Sequence, residues 1–303
     1  MPRICYTEKN FGKAAEDTVE QANQIIDEYT KAGYKLTLRQ LYYQFVSRDL
    51  LPNKQSEYKR LGAIINDGRL AGRIDWSAVE DRGRNVQSPP VWTSPEQILD
   101  SAASCFQLDL WRSQPTRVEV WVEKEALLGV VSAACVEDRV PQFACKGYTS
   151  QSEMWEAGAG RIAGYIRDKQ HPVVLHLGDH DPSGIDMTRD ISRRLRLFAG
   201  GHVDVVRIAL NWKQIEEHQP PPNPAKVSDS RFEGYQKEFG DDSWELDSLG
   251  PDVIGDLIRK NIARYRDGEM WDIAKRDEDE RKSVLRDIAF RYDEIATWLS
   301  ATP

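Results

Sequence analysis

The chain has little with which to build a disulfide framework or a zinc finger. Its 303 residues include only four cysteines (Cys5, Cys105, Cys135, Cys145), scattered and with no CxxC pair. That usage reads as free thiols in a reducing compartment. No apolar run approaches the ~20 residues of a membrane span, so no membrane partner is expected. The opening Met-Pro-Arg-Ile-Cys-Tyr lacks the apolar core of a secretory leader, which makes cytoplasmic residence the expectation. A GxxxxGK(S/T) loop and a lid-like glycine cluster are both missing, so no ATP site is expected in this chain. There is no internal repeat and no low-complexity segment. What is present, 40% hydrophobic and 30% charged residues, fits a soluble globular protein large enough for two domains.

Charge is unevenly spread. Residues 31–85 hold eleven Lys and Arg against six Asp and Glu, a local +5 in a chain of net charge −8, so the remainder carries −13. A basic head on an acidic body suits a DNA-binding module joined to a metal-binding one. Chance segregation of charge would look the same.

Apolar periodicity predicts a helix over 11–31 through Ala15, Val19, Ala22, Ile25, Ile26 and Tyr29. Thr37 can cap a second helix from Leu38, and Tyr58, Leu61, Ile64 and Ile65 mark a third over 56–67. Short extended pieces follow, so residues 1–90 resemble a winged helix: three helices and a small hairpin. Residues 85–95 read as a linker, and a bridging helix is expected within 91–115. From Thr116 onward strands and helices alternate, which predicts an α/β sheet of Rossmann-like type. A charged helical tail over 251–299 completes a second domain at 116–303.

Two acidic signatures each close a run of β-formers: Val118-Glu-Val-Trp-Val-Glu123-Lys124-Glu125 and Val173-Val-Leu-His-Leu-Gly-Asp179-His-Asp181-Pro-Ser-Gly184. In an α/β sheet, ligands gather beyond the carboxyl ends of the strands. Adjacent strands would therefore bring Glu123, Asp179 and Asp181 together. Three hard oxygen donors favour Mg²⁺, or Mn²⁺, over Zn²⁺. A surface turn rich in Asp, Pro, Ser and Gly, with Glu123 as an acid at a helix start, is the plain alternative. His180 is a candidate to touch a phosphate, whereas His176 falls inside the strand.

The VEKEALL and GDHDPSGID patterns resemble a Toprim domain, the metal-binding fold of topoisomerases, bacterial primases and some nucleases. The Asp-x-Asp-Pro-x-Gly form is most similar to the DNA-cleaving subunit of topoisomerase VI and its relatives, the meiotic double-strand-break proteins. Cys145-Lys146-Gly147-Tyr148 is similar to that family's Lys-Gly-aromatic segment, although Thr149-Ser150 replaces the Pro-Asp that follows there. Trp244-Glu245-Leu246-Asp247-Ser248-Leu249 is also similar to a segment of small Toprim proteins, with its acids read as caps ahead of Pro251.

The resemblance implies a nucleophilic tyrosine upstream, and Leu38-Arg39-Gln40-Leu41-Tyr42-Tyr43-Gln44-Phe45 looks like the family's Arg-x-x-aromatic-Tyr motif. With Leu38 at zero, a helical wheel puts Leu41 at about 300°, Phe45 at about 340° and Tyr42 at about 40°. That apolar stripe claims Tyr42 for the core. Tyr43 falls at about 140°, beside Arg39 at about 100° and one helical turn away from it. A phenol next to a guanidinium suits attack on a phosphodiester, and Arg39 is expected to favour phenolate.

By the resemblance, the chain is an enzyme like the cleaving subunit of a type IIB topoisomerase, and it acts on double-stranded DNA. Tyr43 would form a phosphotyrosyl link, assisted by Arg39 and Glu123, with Mg²⁺ on Glu123, Asp179 and Asp181. A homodimer is implied, and strand passage would need a separate ATPase subunit. Lys54, Lys59, Arg60, Arg69, Arg73 and Lys146 are the candidates for phosphate tracking. A hydrolytic Toprim nuclease using water is the alternative within enzymes, and a non-catalytic DNA-binding protein the alternative outside them.

Overall fold

The alternation of strands and helices after Thr116 does build an α/β protein with a four-stranded parallel sheet. The structure, a computed structural model, describes residues 3–31, 33, 35–80 and 89–301. The first elements are α1 (Lys13–Lys31), β1 (Leu36–Thr37), α2 (Leu38–Ser47), α3 (Gln55–Leu70), β2 (Val79–Glu80) and α4 (Pro95–Cys105). Next come β3 (Thr116–Val122), α5 (Leu128–Cys135), β4 (Gln142–Ala144), α6 (Gln151–Trp155), a π-helical segment (Glu156–Ile162) and α7 (Ala163–Arg167). Then follow β5 (His171–Leu177), α8 (Pro182–Ala199), β6 (Asp204–Ala209), α9 (Trp212–His218), β7 (Asn223–Pro224), α10 (Phe232–Phe239) and β8 (Asp242–Ser243). Last are α11 (Pro251–Ala263), α12 (Gly268–Phe290) and α13 (Tyr292–Ala301).

The chain forms two compact units: residues 1–84 with 118–264, and residues 85–117 with 265–303. This differs from the expected 1–90, 91–115 and 116–303. The predicted linker helix is α4, and it packs on α12 of the C-terminal tail. Residues 81–88, including part of the expected 85–95 linker, lie outside the described residues.

In the first unit, α1 buries Val19, Ala22, Ile25, Ile26 and Tyr29 against α2 and α3. Thr37 starts α2 through a capping box: its hydroxyl accepts the Gln40 N–H at 3.2 Å, and Gln40 Oε1 accepts the Thr37 N–H at 2.9 Å. Two of the four orphan amides of a helix start are commonly satisfied this way. The small hairpin is not formed among the described residues. Instead β1 and β2 pair in parallel, Leu36 opposite Val79 and Thr37 opposite Glu80. The extended segment after α3 pairs with the strand that precedes α2, and two parallel strands cannot be joined by a tight turn.

The main sheet has the order β4-β3-β5-β6. Its central strands are mostly apolar because both faces are covered, with Glu119 of β3 and His176 of β5 as buried polar exceptions. Trp121 and Val174 pack with Met154, Ile162, Met187, Ile191 and Leu195, from the 151–167 helical run and α8. Alternate residues Val120, Val122, Val173 and Leu175 point the other way and are equally buried. α11 packs on α5 and on β6. Helices α9 and α10 were not expected, and they follow the last strand of the sheet.

The second unit joins α4, α12 and α13. Trp111 meets Trp271 edge-on at 5.7 Å. Gln114 pairs through its amide with the backbone of Asp267, at 2.7 and 3.1 Å. Among the described residues no helix is long and apolar enough to cross a membrane.

Candidate functional site

The site is built where β3 and β5 stop. They are neighbours, so the residues that follow each strand emerge side by side. The Glu123 N–H donates to Leu177 O at 2.8 Å, and Glu123 Oε2 accepts the Asp179 N–H at 2.9 Å. Close approach favours glycine at one point of this loop and requires it at another. A Cβ at Gly178 would lie 3.0 Å from Glu123 Oε2 and 3.2 Å from Arg207 Nη1, and one at Gly184 would lie 2.2 Å from Asp179 O. Asp181 caps α8, its Oδ1 accepting the Gly184 N–H at 2.6 Å and the Ser183 hydroxyl at 2.9 Å.

A lysine stands among the acids. Lys124 Nζ lies 3.0 Å from Asp179 Oδ1, 2.9 Å from Glu245 Oε2 and 3.0 Å from Asp247 Oδ1. Asp179 Oδ1 also accepts the Leu246 N–H at 2.7 Å. Arg39 reaches the same acids, with Nε 3.0 Å from Asp247 Oδ2 and Nη2 paired to Glu245. Arg207 ties the loop from below. Its guanidinium donates to Gly178 O (2.9 Å), Asp179 O (2.6 Å), Gly184 O (2.9 Å) and Leu210 O (3.2 Å).

Five carboxylates (Glu123, Asp179, Asp181, Glu245, Asp247) thus face three cations (Arg39, Lys124, Arg207). Protonation responds to that imbalance. Burial pushes Asp179 up to about 7, and the Glu123 charge adds to it against the pull of Lys124. Burial likewise raises Glu123, with Asp181 contributing. Burial would raise Glu245 too, but Lys124 and Arg39 overcome it and hold Glu245 down at about 2. Burial lowers Arg207 to about 10. Burial opposes the charge on Lys124, yet Asp247, Asp179 and Glu245 raise it well above an ordinary lysine.

The donor chemistry fits a hard divalent cation, since every acidic ligand offered is carboxylate oxygen. The structure brings Glu123 and Asp179 together. It does not gather the oxygens of Glu123, Asp179 and Asp181 within 4.8 Å of one another; among the described residues, only His171, His202 and Asp204 are so gathered. Asp179 faces Lys124, while Asp181 faces the start of α8.

Tyr43 differs from the helical-wheel expectation. It is 4% exposed, as is Tyr42, and both belong to the core of the first unit. Residues 40–46 of α2 are all buried. The helix is enclosed by α1, α3 and the turn Leu246–Ser248, so it has no solvent face there. The two hydroxyls are used differently. Tyr42 accepts the Lys54 N–H at 2.8 Å and lies 3.1 Å from Pro52 O, which fixes the α2–α3 loop. The Tyr43 hydroxyl lies 3.5 Å from Arg39 Nη2, and the guanidinium sits 5.8 Å from its ring centroid.

Arg39 does not win the contest for phenolate. Burial, then Glu245 and Asp247, push Tyr43 up to about 12 against the pull of Arg39. Tyr43 and Arg39 line a cavity of about 350 Å³ with Tyr42, Asn53, Lys54, Gln55, Tyr58, Asn223 and Glu245. Arg39 also lines a hollow of about 380 Å³ with Glu123, Lys124, Glu125, Lys146 and Asp247. It therefore joins the tyrosine side of the site to the carboxylate side.

The expected phosphate-tracking residues divide. Lys54 lines the tyrosine cavity, and Lys59 is exposed. Arg60 pairs with Glu57 at 2.7 Å, and Lys146 with Glu125 at 3.1 Å. Arg69 bonds to Val79 O and lies 5.8 Å from the Trp76 ring, and Arg73 pairs with Glu16, so both brace the first unit. His180 is not free to meet a phosphate. It is 1% exposed, with Nδ1 2.8 Å from the Tyr235 hydroxyl and its ring among Trp212, Phe239 and Trp244. His176 is buried in β5, as expected.

Sequence reasoning missed Lys124, Arg207, Glu245 and Asp247 as members of the site. The first lies inside the quoted VEKEALL pattern, and the acids lie in the quoted Trp244–Leu249 stretch. Arg207, in the middle of an apolar strand, was a signal in itself, because a buried arginine needs partners. No protein-family model matches the chain, and none of the curated proteins matches it.

Proposed function

We propose that this chain binds double-stranded DNA and cleaves it with a divalent cation, as a relative of the DNA-cleaving subunit of topoisomerase VI. One observation carries the reading: a carboxylate-rich loop at the end of a parallel sheet joins, through Arg39, a cavity holding a tyrosine hydroxyl. Within the first unit, the elements from α1 to β2 then serve as a winged-helix-like head and those from β3 to α11 as a Toprim-type body. Glu123 and Asp179, joined by Asp181 once it leaves its cap on α8, would hold Mg²⁺ or Mn²⁺, which would supply stabilisation of the charge on the reacting phosphate. The excess of carboxylates over cations at the loop favours a doubly charged guest.

The chain's own groups do the rest. Arg39 neutralises a phosphate oxygen beside Tyr43. The Tyr43 oxygen bonds to phosphorus as it gives up its phenolic proton, the phosphorus–sugar oxygen bond breaks, and the sugar oxygen takes up that one proton equivalent and leaves as a free hydroxyl. Lys54, Lys59, Arg60 and Lys146 contact neighbouring phosphates. A homodimer would supply two half-sites for the two strands, and a separate ATPase subunit would drive strand passage. Hydrolysis by water is the second reading, favoured by the burial of Tyr43 and its raised pKa.

The test is incubation with supercoiled plasmid and Mg²⁺ or Mn²⁺, followed by denaturation and capture of protein-linked DNA. Wild type should yield linked ends, while Tyr43→Phe and Asp179→Ala should yield none. Nicking that survives Tyr43→Phe but not Asp179→Ala assigns water as the nucleophile. DNA binding with no cleavage under either cation overturns both enzymatic readings and leaves a DNA-binding protein.

A further inference from the structure

A second group of ligands stands at the opposite edge of the same sheet. His171 is the first residue of β5 and Asp204 the first of β6, and these strands run in parallel. Both therefore lie at the strand starts, whereas Glu123 and Asp179 lie beyond strand ends. His202 sits between the end of α8 and β6. α8 is stopped by Gly200 in the left-handed region (φ 66°), and buried Val203 is held by a 3.0 Å bond from Arg196 Nε to its carbonyl. The residue between these anchors is His202 with its neighbour Gly201, so the loop has a defined seat.

The two imidazoles converge on one carboxylate. His171 Nε2 lies 2.7 Å from Asp204 Oδ2, and His202 Nε2 lies 3.0 Å from Asp204 Oδ1. The rings stack, with centroids 5.5 Å apart and planes 21° apart. One donor atom from each of the three residues falls within 4.8 Å of the others. A tetrahedral ion with bonds of about 2.0–2.1 Å needs its donors roughly 3.3 Å apart, so small side-chain adjustments suffice. Two imidazole nitrogens and one carboxylate oxygen select a borderline transition cation, not the hard ion suited to the all-carboxylate loop. All three side chains are partly open to solvent, with side-chain exposures of 42%, 64% and 43% in chain order.

We propose that His171, His202 and Asp204 form a transition-metal site of the Zn²⁺ class, with three protein ligands and a fourth position open to water. It is separate in place and in chemistry from the carboxylate loop and does not depend on how that loop functions. Three-ligand sites with an open position bind an exchangeable fourth ligand and acidify bound water.

The test is a titration of the full chain with Co²⁺ followed by visible absorption, then displacement with Zn²⁺. Calorimetry with Zn²⁺ runs beside it. The expected result is one equivalent of Co²⁺ with intense low-coordination bands, bleached by one equivalent of Zn²⁺ and unaffected by millimolar Mg²⁺. His202→Ala, at an exposed position where folding is easily checked by circular dichroism, should weaken Zn²⁺ binding by more than the about 10–100-fold that an outer partner costs. His171→Ala/His202→Ala should abolish it, and Asp179→Ala should leave it intact. Absence of Co²⁺ bands and of Zn²⁺ heat in wild type overturns the site. So does a folded double variant that binds as wild type does, or loss of binding only in Asp179→Ala.

Discussion

Lys124 Nζ lies 3.0 Å from Asp179 Oδ1, and the residue just before it, Glu123, accepts the Asp179 amide at 2.9 Å. One dipeptide thus grips both the side chain and the backbone of Asp179. The lysine side chain is 22% exposed, and those of Asp179 and Asp247 are 13% and 2% exposed. Removing the ammonium leaves the buried Asp179 without its side-chain counter-ion, while Arg39 still pairs with Glu245 and Asp247; breaking a comparable buried pair costs about 3–5 kcal/mol. Lys124→Met should lose stability in that range in urea unfolding. It should also recover more stability than wild type when Mg²⁺ or Mn²⁺ is added, because a cation that binds only the folded state stabilises it by mass action. Equal response of the two proteins to the cation would remove Lys124 from the site.

Two glycines should respond to alanine with opposite signs. A methyl at Gly184 would lie 2.2 Å from the Asp179 carbonyl oxygen, with backbone on both sides of the contact. Gly184→Ala should therefore destabilise by at least the about 1–3 kcal/mol typical of overpacking, and should disturb any cation affinity of the loop. Gly160 is exposed inside the π-helical segment, and a methyl there meets nothing within 4 Å. Gly160→Ala should gain about 0.5–1 kcal/mol by restricting the unfolded chain. Thermal or urea unfolding of the two variants side by side checks both signs.

The buried histidine of β5 sets an acid limit on stability. His176 Nδ1 lies 2.8 Å from the Thr188 hydroxyl, and its Nε2 has no hydrogen-bond partner among the described residues. Burial, with help from Arg207, depresses its pKa to about 3. The unfolded chain takes up a proton near the ordinary value of about 6.5 that the folded chain refuses. Stability from this group is therefore complete above about pH 6.5 and is lost as the pH falls toward 3, by up to about 1.4 kcal/mol per unit. Asp179, raised to about 7, acts in the opposite sense as the pH falls. The comparison must therefore be between proteins that share it. In His176→Leu, the stability difference between pH 7 and pH 4.5 should shrink by about 2–3 kcal/mol relative to wild type. An unchanged difference would mean that His176 is not held neutral.

The legible parts of this molecule are those with local causes. Thr37 and Gln40 mark the start of α2 because a capping box closes within four residues. Glu123 and Asp179 are visible because each apolar run ends at a strand end, and neighbouring parallel strands carry both to one edge. The exposed face expected for Tyr43 was not legible, because a ten-residue helix enclosed by α1, α3 and the Leu246–Ser248 turn buries polar and apolar positions alike. Glu245 and Asp247 join Arg39 from more than two hundred residues away, as the Arg39–Glu245 separation of 206 shows. Nothing in a local pattern encodes such a pairing. The association of α4 with α12 escaped for the same reason, since charged helix surfaces carry only a weak stripe.

That association has its own polar anchor, which can be cut. Glu278 on α12 is fully buried. Its Oε2 accepts the Leu108 N–H at 2.8 Å, and its Oε1 takes Lys275 at 2.8 Å and Lys282 at 3.0 Å. A buried carboxylate is tolerated there because an amide and two ammonium groups satisfy it. Glu278→Ala strands those donors, among them Lys282, whose side chain is only 16% exposed, and should cost about 3 kcal/mol or more. Glu278→Gln retains an acceptor for the Leu108 amide but loses the charge, and should cost less. Amide hydrogen exchange provides the local readout. Protection should fall at residue 108 and along α12 in the alanine variant, and the amides of β3 and β5 should exchange as in wild type. If protection is lost equally everywhere, Glu278 is holding up the whole chain and not one helical pair.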